Sequence, residues 1–139
     1  MPLIQPSVAV QCRGVTKAYG RGDTQVMALR GVDLEVYCGE LLLLVGPSGC
    51  GKTTLISIIA AILDQDDGAC RVLGRDLREL DKAERARFRG AAIGFVFQAF
   101  NLLPALSAAE NVAVPLLLNG VPRQRADVRA RAALDQVGL

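Results

Sequence analysis

The chain has 139 residues, about the length of one ordinary domain. Hydrophobic residues make up 51% of it and charged residues 22%, which excludes a disordered chain because so much apolar surface can be buried. The formal net charge of +2 provides no basic footprint, so we expect no nucleic-acid partner. The longest aliphatic run, residues 41–45, is far shorter than the roughly 20 residues that span a bilayer.

The chain contains four cysteines without CxxC spacing and no histidine. Zinc sites usually combine closely spaced cysteine and histidine ligands, so the sequence predicts no metal cluster. The lack of histidine also removes every Ser/His or Cys/His nucleophile. Residues 1–7 show no charged segment followed by an apolar stretch, so no secretory signal is predicted. We therefore expect a cytoplasmic protein with reduced cysteines, which act as small apolar fillers except at Cys50.

A mixture of β-branched and polar residues predicts a short strand over 8–15. Alternating apolar side chains predict a second strand over 27–36, with Gly31 interrupting its register. Continuous apolar runs predict two further strands that are covered on both faces, 41–45 and 93–97. A short strand is predicted over 70–73. These segments favour an α/β protein.

Helices are predicted over four segments: 52–63, 82–89, 111–118 and 123–137. Two capping-box patterns precede the second and third of them, Asp81 with Glu84 and Ser107 with Glu110. Glu110 is therefore interpreted as a helix cap in preference to a catalytic acid. The last third of the chain is predicted to be mainly helical.

Residues 46–53, with the sequence GPSGCGKT, match the phosphate-loop pattern GxxxxGK[ST]. The candidate binding residues are Gly46, Pro47, Ser48, Gly49, Cys50, Gly51, Lys52, Thr53 and Thr54. The glycines let the backbone curl until its N–H groups point at phosphate oxygens, and the next helix adds its N-terminal dipole. Lys52 is expected to contact the β- and γ-phosphates, and the Thr53 hydroxyl to bind Mg²⁺. The sequence predicts nucleotide binding.

The segments around this loop resemble the ATP-binding-cassette (ABC) transporter ATPases. GPSGCGKTTL resembles their Walker A motif, and residues 28–46 resemble the segment that leads into it. Residues 94–120 look like their Q-loop and the segment that follows it. The sequence of this stretch resembles the subgroup that serves lipoprotein-release, macrolide-export and cell-division permeases. The resemblance runs from about Val10 to Leu139.

The resemblance implies a P-loop NTPase fold in three parts. These are an antiparallel β-subdomain (1–40), a core of parallel strands around the Walker A helix that includes the Q-loop (41–98), and the start of a helical subdomain (99–139). The implied ligands are ATP and Mg²⁺. The implied partners are a membrane permease and a second ATPase subunit, with the chain peripheral on the inner face of the cell membrane.

The resemblance also implies roles for residues outside the loop. Tyr19 resembles the A-loop residue that stacks on adenine, and Gln98 resembles the Q-loop glutamine that touches Mg²⁺ or the attacking water. Lys52 and Gln98 are thus the candidate catalytic residues. The alternative left open for Tyr19 is a tyrosine in a surface turn. The alternative left open for Gln98 is a buried glutamine at a strand end. Four apolar residues are implied to line the groove for a permease helix, with ordinary core as the alternative: Phe97, Phe100, Leu102 and Leu103.

Several features of the family are missing or altered. The sequence contains no LSGGQ-like signature, no apolar run that ends in Asp-Glu, and no switch histidine. We therefore expect inefficient ATP turnover and, because the Walker A strand lacks neighbours, a marginally stable or aggregation-prone chain. Ala61 stands where the family helix has glycine, at little expected cost within a helix.

Two alternatives to a transporter ATPase remain at this stage. One is a P-loop kinase or GTPase, although the NKxD motif that reads the base in GTPases does not occur. The other is a truncated or degenerate protein that binds nucleotide without hydrolysing it.

Overall fold

A computed structural model describes residues 7–139; residues 1–6, where no secretory signal is predicted, lie outside the described part. The chain forms two compact units, one that extends to Arg85 and one over Ala86–Leu139. Each unit is described by itself. The predicted three-part division at residues 40/41 and 98/99 stays a prediction.

The first unit is built on a four-stranded antiparallel sheet with the strand order β2-β1-β3-β4. Its strands are β1 (Val8–Tyr19), β2 (Val26–Tyr37), β3 (Asp67–Val72) and β4 (Arg75–Asp76). This sheet confirms the predicted N-terminal antiparallel part. Gly31 has a φ of +79° and is skipped where the pairing of β2 passes from Val32 to Arg30, so it does interrupt the register, as a β-bulge does.

The core of the first unit lies between this sheet and helix α1 (Lys52–Ile59). Leu55 and Ile58 of the helix are buried, together with Cys12 and Val15 of β1. Further buried apolar side chains complete the core: Leu29, Cys70, Val72 and Leu77. Packing against this core fixes where the helix begins and therefore where the phosphate loop lies.

The two predicted buried strands, 41–45 and 93–97, do not form in the described chain. Leu41, Leu43 and Val45 leave 84%, 74% and 90% of their surface exposed. A parallel strand needs a hydrogen-bonded neighbour, and each described strand is engaged in the antiparallel sheet β1–β4. The prediction of parallel core strands around the Walker A helix is therefore wrong for these residues. Self-association of the isolated chain stays a prediction.

Helix α1 ends at Ile59, before the predicted end at residue 63. The amide of Ala61 donates to the carbonyl of Ile58 (2.9 Å), and that of Ile62 donates to Ser57 (2.9 Å). This is the Schellman arrangement, in which the residue after the C-cap turns left-handed. Ala61 has a φ of +56°, a conformation that favours glycine. The expectation of little cost is wrong, because Ala61 terminates the helix instead of continuing it.

The remaining helices are α2 (Lys82–Ala92), α3 (Ala108–Leu118) and α4 (Arg123–Asp135). Small side chains at the α3–α4 contact let these two helices pack closely: Ala113, Ala126 and Ala130. Both predicted capping boxes are confirmed by paired hydrogen bonds. None of the described helices has the length and apolar character needed to cross a membrane.

Candidate nucleotide-binding site

The phosphate loop leads directly into α1, and its shape depends on glycine. Gly49 and Gly51 have φ values of +80° and +93°, in the left-handed region that other residues adopt with strain. A β-carbon on Gly46 would lie only 2.9 Å from the Cys50 sulfur. The loop is thus a compact backbone cradle, and a side chain at Gly46 would press against it.

Lys52 reaches back over this cradle. Its ammonium group donates to the carbonyl oxygens of Gly46 and Pro47, both at 2.7 Å, and lies 3.4 Å from the Cys50 sulfur. The charge is therefore held against oxygen acceptors within the loop itself. A phosphate oxygen is a stronger acceptor than a carbonyl and could replace them.

The N-terminus of α1 adds a second positive feature. Gly51 is the N-cap, and no side chain among the described residues caps the helix. The amides of the first turn have no partner within the helix, and the helix dipole makes this end attractive to anions. The first turn contains no acidic residue that would repel them. Thr53 lies in this turn with its side chain exposed.

Tyr19 is brought to this helix end by the fold. It is the last residue of β1, and its hydroxyl lies 3.5 Å from Oγ1 of Thr54. Its side chain is 46% exposed, which leaves ring surface available. The role of Tyr19 in adenine stacking stays a prediction, and so does the alternative of a surface-turn tyrosine.

Sequence reasoning missed the anchor that holds the end of β1. One oxygen of the Asp66 carboxylate accepts from Lys17 Nζ (2.6 Å), and the other accepts from the Ala18 amide (2.7 Å). The hydrogen bond from Lys17, and then that from Ala18, holds the pKa of Asp66 below its ordinary value. No local motif marks this pair, since the partners are 49 residues apart.

A cavity of about 370 Å³ beside the loop was also missed. It lies between β2, from Met27 to Arg30, and the loop residues Gly49 and Cys50. Its volume falls within the range of small-molecule pockets, about 300–1,000 Å³. The cavity widens the space around the loop on the β2 side.

The second unit contains the other candidate residues. Gln98 is exposed at a bend, so the alternative of a buried glutamine at a strand end is wrong. The four apolar residues around it, Phe97, Phe100, Leu102 and Leu103, are also exposed, Phe100 to 92%. Ordinary core is therefore wrong for them as well. Their roles in catalysis and partner binding stay predictions.

Glu110 is confirmed as a helix cap. Its carboxylate accepts from the Ser107 amide (2.9 Å) and hydroxyl (2.8 Å), while its own amide donates to the Ser107 hydroxyl oxygen (3.3 Å). These bonds hold the pKa of Glu110 below its ordinary value, the amide of Ser107 having the largest effect. A carboxylate occupied in this way is poorly suited to act as a base.

The residues present fit a magnesium-bound nucleoside triphosphate. The glycine cradle, the Lys52 ammonium and the uncapped helix end all favour phosphate. Among the described residues no group of three His, Cys, Asp or Glu could hold a metal ion. Mg²⁺ usually binds one or two protein oxygens together with substrate phosphates, so the Thr53 hydroxyl suits a cation that arrives with the nucleotide.

Comparison with known proteins agrees with this site. Residues 29–139 match the ABC transporter family. The chain is 38% identical over 136 residues to the macrolide export ATP-binding/permease protein MacB of Marinobacter nauticus, covering 98% of this chain and 21% of that protein. It is 41% identical over 132 residues to the lipoprotein-releasing system ATP-binding protein LolD of Chromohalobacter salexigens, covering 95% and 56%. The chain thus spans between about a fifth and just over half the length of these curated relatives.

The fold comparison points the same way. A dimeric structure of the ATP-binding cassette MJ0796 in a post-hydrolysis state, bound to ADP and Pi, superposes with a TM-score of 0.86 at 35% identity. The match covers 94% of this chain and 57% of that one. The predicted class, a P-loop NTPase of the cassette type, is confirmed, and the kinase and GTPase alternatives are set aside. The chain belongs to the ABC transporter family.

Proposed function

We propose that this chain is part of the ATP-binding subunit of an ABC transporter, which binds Mg-ATP to power a membrane permease. The observation that carries the proposal is the Lys52 ammonium held in the glycine cradle at the start of α1, with Tyr19 beside Thr54. The relatives named above are an exporter and a lipoprotein-releasing system, which favours a permease of one of these types.

Each residue of the loop has a distinct task in the proposed complex. The backbone N–H groups of the loop hold the phosphates, except at Pro47, which has no N–H. Lys52 leaves its carbonyl acceptors to contact the β- and γ-phosphates. The Thr53 hydroxyl binds Mg²⁺, which supplies charge neutralisation at the phosphates when it is present. Thr54 adds a donor near the α-phosphate. Tyr19 stacks on the adenine ring, and its position above the helix end supports this role.

The second unit supplies the proposed contacts to partners. Gln98 is the residue that senses Mg²⁺ or the attacking water, and its exposure leaves its amide able to move. The exposed apolar set around it forms a surface for a permease helix: Phe97, Phe100, Leu102 and Leu103. A second ATPase subunit would complete the nucleotide site, which the dimeric state of the solved relative supports. The complex would lie on the inner face of the cell membrane.

Turnover by this chain alone stays a prediction. We expect slow phosphate release from ATP, because the 139 residues contain no LSGGQ-like signature, no apolar run that ends in Asp-Glu and no histidine. A phosphate-release assay on the chain at saturating Mg-ATP tests this. Rapid turnover would contradict the expectation and leave the binding proposal intact.

The proposal is tested by measuring Mg-ATP affinity in Lys52→Ala and, as a control with the same charge change, Lys82→Ala at the start of α2. Loss of a charged hydrogen-bond donor to phosphate weakens binding by about 10–100-fold. Lys82→Ala is expected to bind like the unchanged chain, and thermal melts verify that both variants fold. Equal affinity of Lys52→Ala and the unchanged chain would refute the phosphate-loop assignment.

Substitutions at two further residues test the proposed adenine contact of Tyr19 and the proposed Q-loop role of Gln98 separately. Tyr19→Ala is expected to weaken binding by the loss of one stacked base, about 1–3 kcal/mol, whereas Tyr19→Phe keeps the ring and binds normally. Gln98→Ala is expected to leave Mg-ATP affinity nearly unchanged and to reduce permease-stimulated turnover in a complete transporter. If Gln98→Ala changes neither turnover nor stimulation, its Q-loop role is wrong.

A further inference from the structure

Two thiols lie side by side in the core of the antiparallel sheet. Cys12 of β1 and Cys70 of β3 are directly paired across the strands, and both are 0% exposed. Their sulfur atoms are 3.7 Å apart, within hydrogen-bond distance for thiols. The other two cysteines, Cys38 and Cys50, are exposed. The buried pair plays no part in the nucleotide site.

The strand register favours a covalent bond between the two sulfurs. The amide of Leu73 donates to the carbonyl of Ala9 (2.8 Å), which identifies that pair as hydrogen-bonded. The pairs alternate along an antiparallel ladder, so Cys12 and Cys70, three positions on, form a non-hydrogen-bonded pair. The Cα atoms of such a pair are about 4.5 Å apart, within the range of about 4.4–6.8 Å found for disulfides.

Each thiol affects the acidity of the other. The pKa of Cys12 is lowered, because Cys70 can donate a hydrogen bond to the Cys12 thiolate. The pKa of Cys70 is raised by the same hydrogen bond and by burial. Both sulfurs are fully buried and adjacent, so either can react first, and Cys12 is taken as the first nucleophile.

We propose that Cys12 and Cys70 are an oxidative modification site, at which a peroxide converts the two thiols into an intramolecular disulfide. In the first step the Cys12 thiolate attacks one oxygen of hydrogen peroxide and the O–O bond breaks. The products are a sulfenic acid on Cys12 and hydroxide, which combines with the proton that Cys12 released to form water.

In the second step the Cys70 sulfur attacks the Cys12 sulfur. The S–S bond forms, the S–O bond breaks, and the hydroxyl group leaves with the Cys70 proton as water. The two thiols together lose two electrons, and one hydrogen peroxide becomes two waters. The reaction needs no other reactant.

The disulfide would join the two central strands of the sheet. The β-carbons of directly opposed residues are about 4.5–5.5 Å apart and are closest in non-hydrogen-bonded pairs, whereas a disulfide prefers about 3.5–4.5 Å, so the bond needs only a small approach of β1 and β3. Exchange with a thiol reductant returns the disulfide to two thiols, so the modification is reversible. Because both thiols are buried, oxidation requires brief local opening of the sheet and is slower than that of exposed thiols.

The site is tested by peptide mapping of the folded chain after exposure to hydrogen peroxide. Remaining thiols are blocked with N-ethylmaleimide in denaturant, and the chain is cleaved with trypsin without reduction. Cys12 then lies in peptide 1–13 and Cys70 in peptide 53–71, whereas both exposed cysteines lie in peptide 31–52. We expect a linked species of peptides 1–13 and 53–71, lighter than their sum by two hydrogen atoms, that disappears on reduction.

Two controls keep the result specific. Cys70→Ala is expected to abolish the linked species, and oxidation of the unfolded chain in urea is expected to give mixed pairings that include peptide 31–52. The proposal is overturned if peptides 1–13 and 53–71 are still recovered with N-ethylmaleimide attached after an exposure many times longer than the one that fully oxidises peptide 31–52. It is also overturned if the folded chain gives the same mixed pairings as the unfolded one.

Discussion

A β-carbon added at Gly51 would lie 2.4 Å from the carbonyl oxygen of Ala28 in β2. Gly51 is the N-cap of α1 and has a φ of +93°. The phosphate loop therefore runs directly against the backbone of β2 at this point. The missing side chain is what allows the sheet and the start of the helix to approach so closely.

Gly51→Ala should therefore destabilise the chain more than the same change at Gly49. At Gly51 the left-handed strain of about 1–2 kcal/mol adds to an overpacking cost of about 1–3 kcal/mol. A β-carbon on Gly49 meets nothing within 4 Å at a φ of +80°, so Gly49→Ala incurs the strain alone. Urea unfolding of both variants measures the difference. Equal losses would show that the contact with Ala28 relaxes without cost.

Ala61→Gly should stabilise the chain by about 0.5–1 kcal/mol. Glycine adopts the left-handed conformation of the Schellman turn freely, although it adds conformational freedom to the unfolded chain. The matched control is Ala60→Gly, where φ is −75° and glycine should cost about 0.5–1 kcal/mol. Thermal or urea unfolding shows whether each substitution stabilises or destabilises the chain. A destabilised Ala61→Gly variant would contradict the interpretation of this helix end.

Stability should fall in acid as Asp66 is protonated. Its pKa is lowered in the folded chain, chiefly by the hydrogen bond from Lys17, so the stabilisation is complete above the ordinary aspartate value of 3.8. It is lost as the pH falls through the lowered pKa of the folded state. The difference in unfolding free energy between the unchanged chain and Asp66→Asn should therefore shrink below about pH 4.

Lys17→Ala is the companion variant for this pH series. It removes the principal cause of the lowered pKa of Asp66. In the Lys17→Ala background, the effect of Asp66→Asn on the unfolding free energy should therefore depend less on pH. A constant difference between Asp66→Asn and the unchanged chain from pH 7 to pH 2 would show that the carboxylate charge plays no part in anchoring β1.

Mg-ATP should protect Cys50 from alkylation. Its exposed sulfur lies 3.4 Å from Lys52 Nζ, so phosphates bound by that lysine would cover it. Cys38 is exposed outside the loop and serves as an internal control. With ATP at ten times its dissociation constant, labelling of Cys50 should slow about tenfold, because only the free fraction reacts.

Cleavage after Glu40 separates the two cysteines for mass analysis. Equal labelling rates for Cys50 with and without nucleotide, at a concentration that saturates binding, would place the nucleotide elsewhere. Equal slowing of Cys38 would indicate a global change of the chain instead of local coverage.

The sequence by itself determined the features that depend on neighbouring residues. The phosphate loop of residues 46–53, the capping box of Ser107 with Glu110, and the alternating strands were predictable, since each is set by spacing along a few residues. The cassette fold was also predictable from several motifs together.

The tertiary structure alone decided the features that depend on distant partners. Tyr19 meets Thr54, Lys17 meets Asp66, and Cys12 meets Cys70, and no local pattern encodes any of these pairs. Residues 41–45 have the composition of a buried strand, yet a strand forms only where a neighbour supplies its hydrogen bonds. The composition of a segment shows which secondary structure it can adopt, and the hydrogen-bonding partners available in the fold determine whether it does.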